Sequence, residues 1–135
     1  MKASSLAPVA LVDLVLVVVF AAIGRASHGE AVGPVGLAAT AGPFAAGWLV
    51  GWVLVLLVGA ARARPYGLLA GVLVWVPTVV VGMLLRVASG AGVQTSFVFV
   101  TTVVLAVLLL GWRGVAALVR RTRGARHETR TTAGV

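Results

Sequence analysis

Residues 7–24 read APVALVDLVLVVVFAAIG, an apolar run interrupted by one acid, Asp13. A helix needs about 20 such residues to cross a hydrocarbon core about 30 Å thick. A strand reading fails, because the run is long, lacks period-two alternation and would need a closed barrel to span a membrane. Three runs of the same kind follow at about 43–61, 66–86 and 96–112. The expected fold is all-α, a polytopic four-transmembrane-helix bundle occupying residues 1–114, with a basic, partly disordered cytoplasmic tail at 115–135.

Composition agrees with the runs. Of 135 residues, 61% are hydrophobic and 10% charged, against about 45–50% and about 25% in soluble domains. A chain this short cannot bury so much Val, Leu and Ala in a water-soluble core, so the excess faces lipid. There is no cysteine, which excludes disulfides and thiolate chemistry. Two histidines and three carboxylates supply no metal set, so neither a metal nor a cofactor is expected. Lys2 ahead of an apolar run also fits a cleavable leader, but Asp13 interrupts the apolar core and the residues after it form no clean small-x-small site.

The connections carry turn chemistry and charge. The first, between Arg25 and Gly42, is rich in glycine; its residues 34–41 suit either the membrane interface or the start of the second helix. The second is Arg62-Ala63-Arg64-Pro65, with the proline suited to a first helical turn. The third contains Ser89-Gly90-Ala91-Gly92. Nine of the eleven basic residues (Lys2, Arg62, Arg64, Arg113, Arg120, Arg121, Arg123, Arg126, Arg130) fall on one side, and Arg25 and Arg86 on the other. The positive-inside rule then predicts a plasma-membrane protein with both termini cytoplasmic. The tail should attract anionic lipid headgroups; no aromatic-basic module points to nucleic acid.

Asp13 is the first candidate site. An acid inside a span costs about 2.5–3.5 kcal/mol on insertion scales, so it either has a partner or works. Arg25 is too far along the same helix, about 18 Å. Trp75, Thr78 and, by reaching inward, Arg113 are the candidate partners. Two readings stay open: a proton- or cation-carrying carboxylate, or a buried bond that locks the helices. The third span carries a stripe of Gly71, Trp75, Thr78, Gly82 and Arg86 at helical spacing, with Pro77 predicting a kink beside it. The fourth offers Phe99, Thr102, Ala106, Leu109 and Arg113. Gly47-x-x-x-Gly51 and Gly67-x-x-x-Gly71 suit close helix packing, within one chain or between two. A second candidate is an outer cationic cluster of Arg25, His28 and Arg86, fit to hold an anion or to snorkel and pair with Glu30. Trp48 and Trp112 suit interface anchoring, and Trp52 and Trp75 internal packing.

Read in order, Asp13, Phe20, Gly24-Arg25-x-Ser27-His28, Pro43-Phe44-x-x-Gly47-Trp48, Gly82-Met83-Leu84-Leu85-Arg86, Ser96-Phe97 and Gly111-Trp112-Arg113 form a set. That set resembles a family of small prokaryotic four-helix membrane proteins known as a domain of unknown function. The resemblance covers about residues 8–115 and implies four spans in a bacterial or archaeal membrane, with no activity attached. The architecture is also similar, more loosely, to small multidrug and guanidinium exporters, which carry an essential acid in the first helix. This chain has Asp where they have Glu, few aromatics around it and extra arginines at the outer helix ends. The expected function is a structural or accessory membrane subunit, not an enzyme, working as a homodimer or with a partner membrane protein. Proton-coupled transport through Asp13 is the alternative.

Overall fold

The computed structural model describes residues 6–134. Five helices follow one another: α1 (Ala7–Ser27), α2 (Pro34–Leu57), α3 (Gly59–Ala63), α4 (Leu68–Ala88) and α5 (Thr95–Ala133). α1, α2, α4 and α5 are each long and apolar enough to cross a membrane, and among the described residues there is no strand. Lys2, counted above with the basic side, lies outside the described residues.

Two boundaries differ from the sequence expectation. The second span, expected at 43–61, runs Pro34–Leu57, because Pro34 opens the helix at N1, where its missing N–H costs nothing, and Pro43 is accommodated inside it. At the other end Val58 turns extended and the single turn of α3 carries the chain across to α4. The last helix, whose span is expected to stop near 112, continues to Ala133.

The spans form a ring in which α1 packs on α2, α2 on α4, α4 on α5 and α5 back on α1. α1 and α4 lie on one diagonal and α2 and α5 on the other. The α2–α4 seam is the most extensive and the α1–α5 seam the sparsest. The end of the ring holding Ala7, Leu57, Leu68 and Arg113 is called proximal, and the end holding Ser27, Pro34, Ala88 and Thr95 distal.

Each helix buries one stripe. In α1 that stripe is Val9, Asp13, Val17, Phe20 and Ala21, at the three- and four-residue steps of one helical face. Leu11, Val15, Ile23 and their counterparts on the other helices remain exposed, as lipid-facing side chains should. The α5 face is rotated from the expected one. Thr101, Leu105, Leu109 and Arg113 are buried, while Phe99 is exposed, because strict four-residue steps back from Arg113 lead to Thr101 rather than Thr102.

Glycine sets the α2–α4 distance. A Cβ on Gly47 would lie 2.5 Å from the Pro77 carbonyl oxygen and 2.6 Å from Thr78 Cα. One on Gly51 would lie 2.8 Å from the Leu73 carbonyl oxygen. Pro77 has no N–H to give to Leu73, four residues back, and that carbonyl sits against the Gly51 backbone, where Cα–H contacts are the remaining donors. Both Gly47 and Gly51 therefore face α4 within the chain. α1 and α4 end alike: Glu30 N–H bonds the Arg25 carbonyl and Ala91 N–H the Arg86 carbonyl, at 2.9 and 3.0 Å. Gly29 and Gly90 sit at φ of 71° and 78° between them, the left-handed step that closes a Schellman turn.

Substitution Gly47→Ala should destabilise the protein by about 1–3 kcal/mol, the usual result of forcing atoms into a packed interior. Gly111→Ala, where a Cβ meets nothing within 4 Å, should leave stability unchanged or raise it slightly. Thermal unfolding of the two variants in detergent checks the contrast.

Candidate functional site

Asp13 lies six residues into α1, about 9 Å from its start at the helical rise. It is 0% exposed, and Arg113, 2% exposed, meets it face on. Arg113 Nη1 donates to Oδ1 at 2.7 Å and Nη2 to Oδ2 at 2.7 Å, the bidentate geometry that guanidinium and carboxylate share. Trp112 Nε1 donates to Oδ1 at 2.8 Å and Trp52 Nε1 to Oδ2 at 3.0 Å. Each carboxylate oxygen thus accepts two hydrogen bonds. All four partner atoms are donors, and they meet the two carboxyl oxygens as acceptors.

Four of the five N–H groups of the guanidinium are used. Its Nε donates to the Pro65 carbonyl at 2.9 Å, and Nη1 also donates to the Leu109 carbonyl at 2.8 Å. Its carbon stands 5.1 Å from the Trp112 ring centre, within cation–π range. Gly71 of α4 leaves room for the arginine stem, since a Cβ there would lie 3.1 Å from Arg113 Cδ. One ion pair therefore engages α1, α2, α5, the turn before α4 and the first turns of α4 itself.

The sequence-predicted set is only half assembled. Asp13 and Arg113 meet. Trp75 instead donates to the Thr102 carbonyl at 3.1 Å, and Thr78 to the Val74 carbonyl one turn back in its own helix at 2.6 Å. Both stand on α4, diagonal to α1, and cannot reach Asp13. Trp52 and Trp112 were missed as ligands. Placing the second span at 43–61 put Trp52 too deep; with α2 ending at Leu57, it lies five residues from that end, level with Asp13. A buried indole N–H needs an acceptor, and that rule at matched depth was the available signal. Trp48 also crosses a seam, donating to the Ala10 carbonyl at 3.0 Å.

At the distal end Arg25, His28 and Arg86 line one cleft of 610 Å³, together with Phe20, Thr101 and Gln94 among others. Arg25 is committed within it. Its Nη1 pairs with Glu30 at 3.0 Å and donates to Thr40 Oγ1 at 2.9 Å, while Nε donates to the Ala31 carbonyl at 2.7 Å. Gly36 admits the guanidinium at the start of α2. Arg86 differs: its guanidinium lies 4.4 Å above the Phe97 ring, and its buried Nε has no hydrogen-bond acceptor. Among the described residues no three His, Cys, Asp or Glu side chains gather as a metal site.

A model of the family described as protein of unknown function (DUF3054) matches residues 10–116, nearly the whole four-span bundle, and the chain belongs to that family. Comparison with curated proteins finds no match, and comparison with solved structures finds none.

The ion pair sets a double-mutant prediction. Asp13→Leu and Arg113→Leu, made singly, should each cost about 3–5 kcal/mol, because each strands a buried charge. The double Leu variant should recover most of that loss. Unfolding free energies of the three variants in mixed micelles measure the coupling directly.

Proposed function

We propose that this DUF3054 member is a multi-pass membrane protein in which Asp13 fastens the helices together and carries no protons, and that the chain serves as a structural or accessory membrane subunit. The observation that carries this reading is the saturation of the Asp13 carboxylate. It has four donors, no acceptor and no exposed surface. A proton carrier needs a water path and a state in which its oxygen is free to take a hydrogen. Asp13 does not line the distal cleft, and releasing it would require four hydrogen bonds to break together. No catalytic step is part of the reading.

The insertion we propose puts both termini in the cytoplasm of a plasma-membrane protein. Its support is the nine-to-two division of basic residues between the two ends. The arginines of the tail, with Arg120 stacked 3.9 Å over Tyr66, would then lie against anionic lipid on that face. A homodimer or a larger complex with another membrane protein would cover part of the exposed apolar surface.

Two measurements test these statements. In proteoliposomes under an imposed pH gradient, the native chain should show no solute-dependent proton movement across a broad solute panel. A signal that appears in the native protein and vanishes in a folded Asp13→Leu/Arg113→Leu variant would replace the lock with proton-coupled transport. The chain has no cysteine, so single Ser89→Cys and Arg64→Cys variants report sidedness cleanly. An impermeant maleimide should label the first in intact cells and the second only after lysis; the reverse pattern would invert the proposed topology.

A further inference from the structure

The distal cleft lies in the sparse α1–α5 seam. Phe20, Ile23, Phe97, Val100 and Val104 give it apolar walls. Ile23 and Val100 are 57% and 53% exposed; both belong to the lipid-facing surface, so the cleft opens sideways into the bilayer. Its volume of 610 Å³ falls in the range of about 300–1,000 Å³ typical of small-molecule sites.

Three independent features of the cleft call for an anion. The first is Arg86, whose positive charge no carboxylate of the bundle answers: Asp13 is held by Arg113 and Glu30 by Arg25. Its guanidinium carbon lies over the Phe97 ring, and its buried Nε–H has no acceptor. The second is the start of α5. Gln94, Ser96 and Phe97 line the cleft, and α5 has no side-chain cap at its N-terminus. The first intrahelical bond there is Val98 N–H to the Gln94 carbonyl, so the N–H groups ahead of it have no acceptor within the helix, at its positive end. The third is Thr101, one turn below Phe97 and 0% exposed, whose hydroxyl also has no hydrogen-bond partner. An isolated buried hydroxyl is costly, and this one sits on the cleft wall.

We propose that the cleft binds a phosphate-bearing anion, with the phosphate between Arg86 and the first turn of α5 and a second ligand oxygen on Thr101. The sideways opening and apolar walls favour an amphiphile that enters from the bilayer, such as an anionic phospholipid. Arg86 supplies charge and paired donors to the phosphate. Thr101, about 6 Å deeper at the helical rise, meets an ester or hydroxyl oxygen below it. The proposal does not depend on the role of Asp13, which lies at the other end of the ring.

The test follows thermal stability of the detergent-purified protein against titrated phosphatidylglycerol, phosphatidylcholine and inorganic phosphate. Phosphatidylglycerol should raise the melting temperature saturably and phosphatidylcholine should not. Arg86→Gln should weaken the apparent affinity about tenfold or more, the scale of a lost charged hydrogen bond. Thr101→Val, nearly isosteric and losing no protein partner, should fold normally and weaken it severalfold. A saturable shift with inorganic phosphate, sensitive to Arg86→Gln, would support the site and assign its ligand to the soluble phase. Equal binding by the native protein, Arg86→Gln and Thr101→Val would overturn the proposal, as would the absence of any shift with both phosphate sources.

Discussion

Burial of a full negative charge at Asp13 is the constraint around which the rest of this bundle is arranged. In a low-dielectric interior an unpaired carboxylate is among the most unfavourable groups a protein can hold. Here it is answered by a guanidinium in bidentate contact and by two indole N–H groups. Each answering group comes with demands of its own. The arginine uses the Pro65 and Leu109 carbonyls for two of its remaining hydrogens and Gly71 for its stem. Trp52 must stand level with Asp13, which fixes how far α2 slides along α1. Such a network does not have to add net stability, since apolar replacements of buried ion pairs often match them. What it does contribute is register: few relative positions of the helices satisfy all of its members.

The tryptophans extend the same logic beyond the ion pair. All four indole N–H groups donate across a helix seam, two of them to the Asp13 carboxylate and two to the main-chain carbonyls of Ala10 and Thr102. Helices in lipid gain little from apolar contact alone, because lipid tails are as apolar as leucine. A polar tip on a large ring supplies direction as well as contact area. Glycine supplies the remaining specificity at the α2–α4 seam, where Gly47 and Gly51 bring main chain against main chain. The ring is thus closed by different means on different sides: small residues between α2 and α4, indoles and charge elsewhere.

Span number and helical class were legible in the sequence because apolar runs of membrane length have few other interpretations. The pairing of Asp13 with Arg113 was within reach too, as one of three options. What escaped was the choice among partners, which depends on the order of helices around the ring. Nothing in the local pattern says that α4 lies diagonal to α1, and that single fact removes Trp75 and Thr78. Trp52 escaped through the misplaced end of α2, a few residues of error that changed its depth. Thr101 escaped because two faces of α5 pass through Arg113, and the one through Phe99 looked as apolar as the one through Phe97. Arg25, His28 and Arg86 do line one cleft, but their inequality was invisible in the sequence: Arg25 is consumed by the first loop and Arg86 is not.

The partners in the ion pair stand 100 positions apart in the chain, on the first and last spans. Synthesis at about 5–20 residues per second therefore separates their arrival by roughly 5–20 s. Through that interval α1 has to hold its acid in or near the membrane without the arginine that will neutralise it, relying on a flanking sequence of mean hydropathy 2.5. The first helix is thus provisional until the last one is made. A nascent chain cut short before Arg113 would keep the apolar surface of four spans and lack the group that joins the first span to the last.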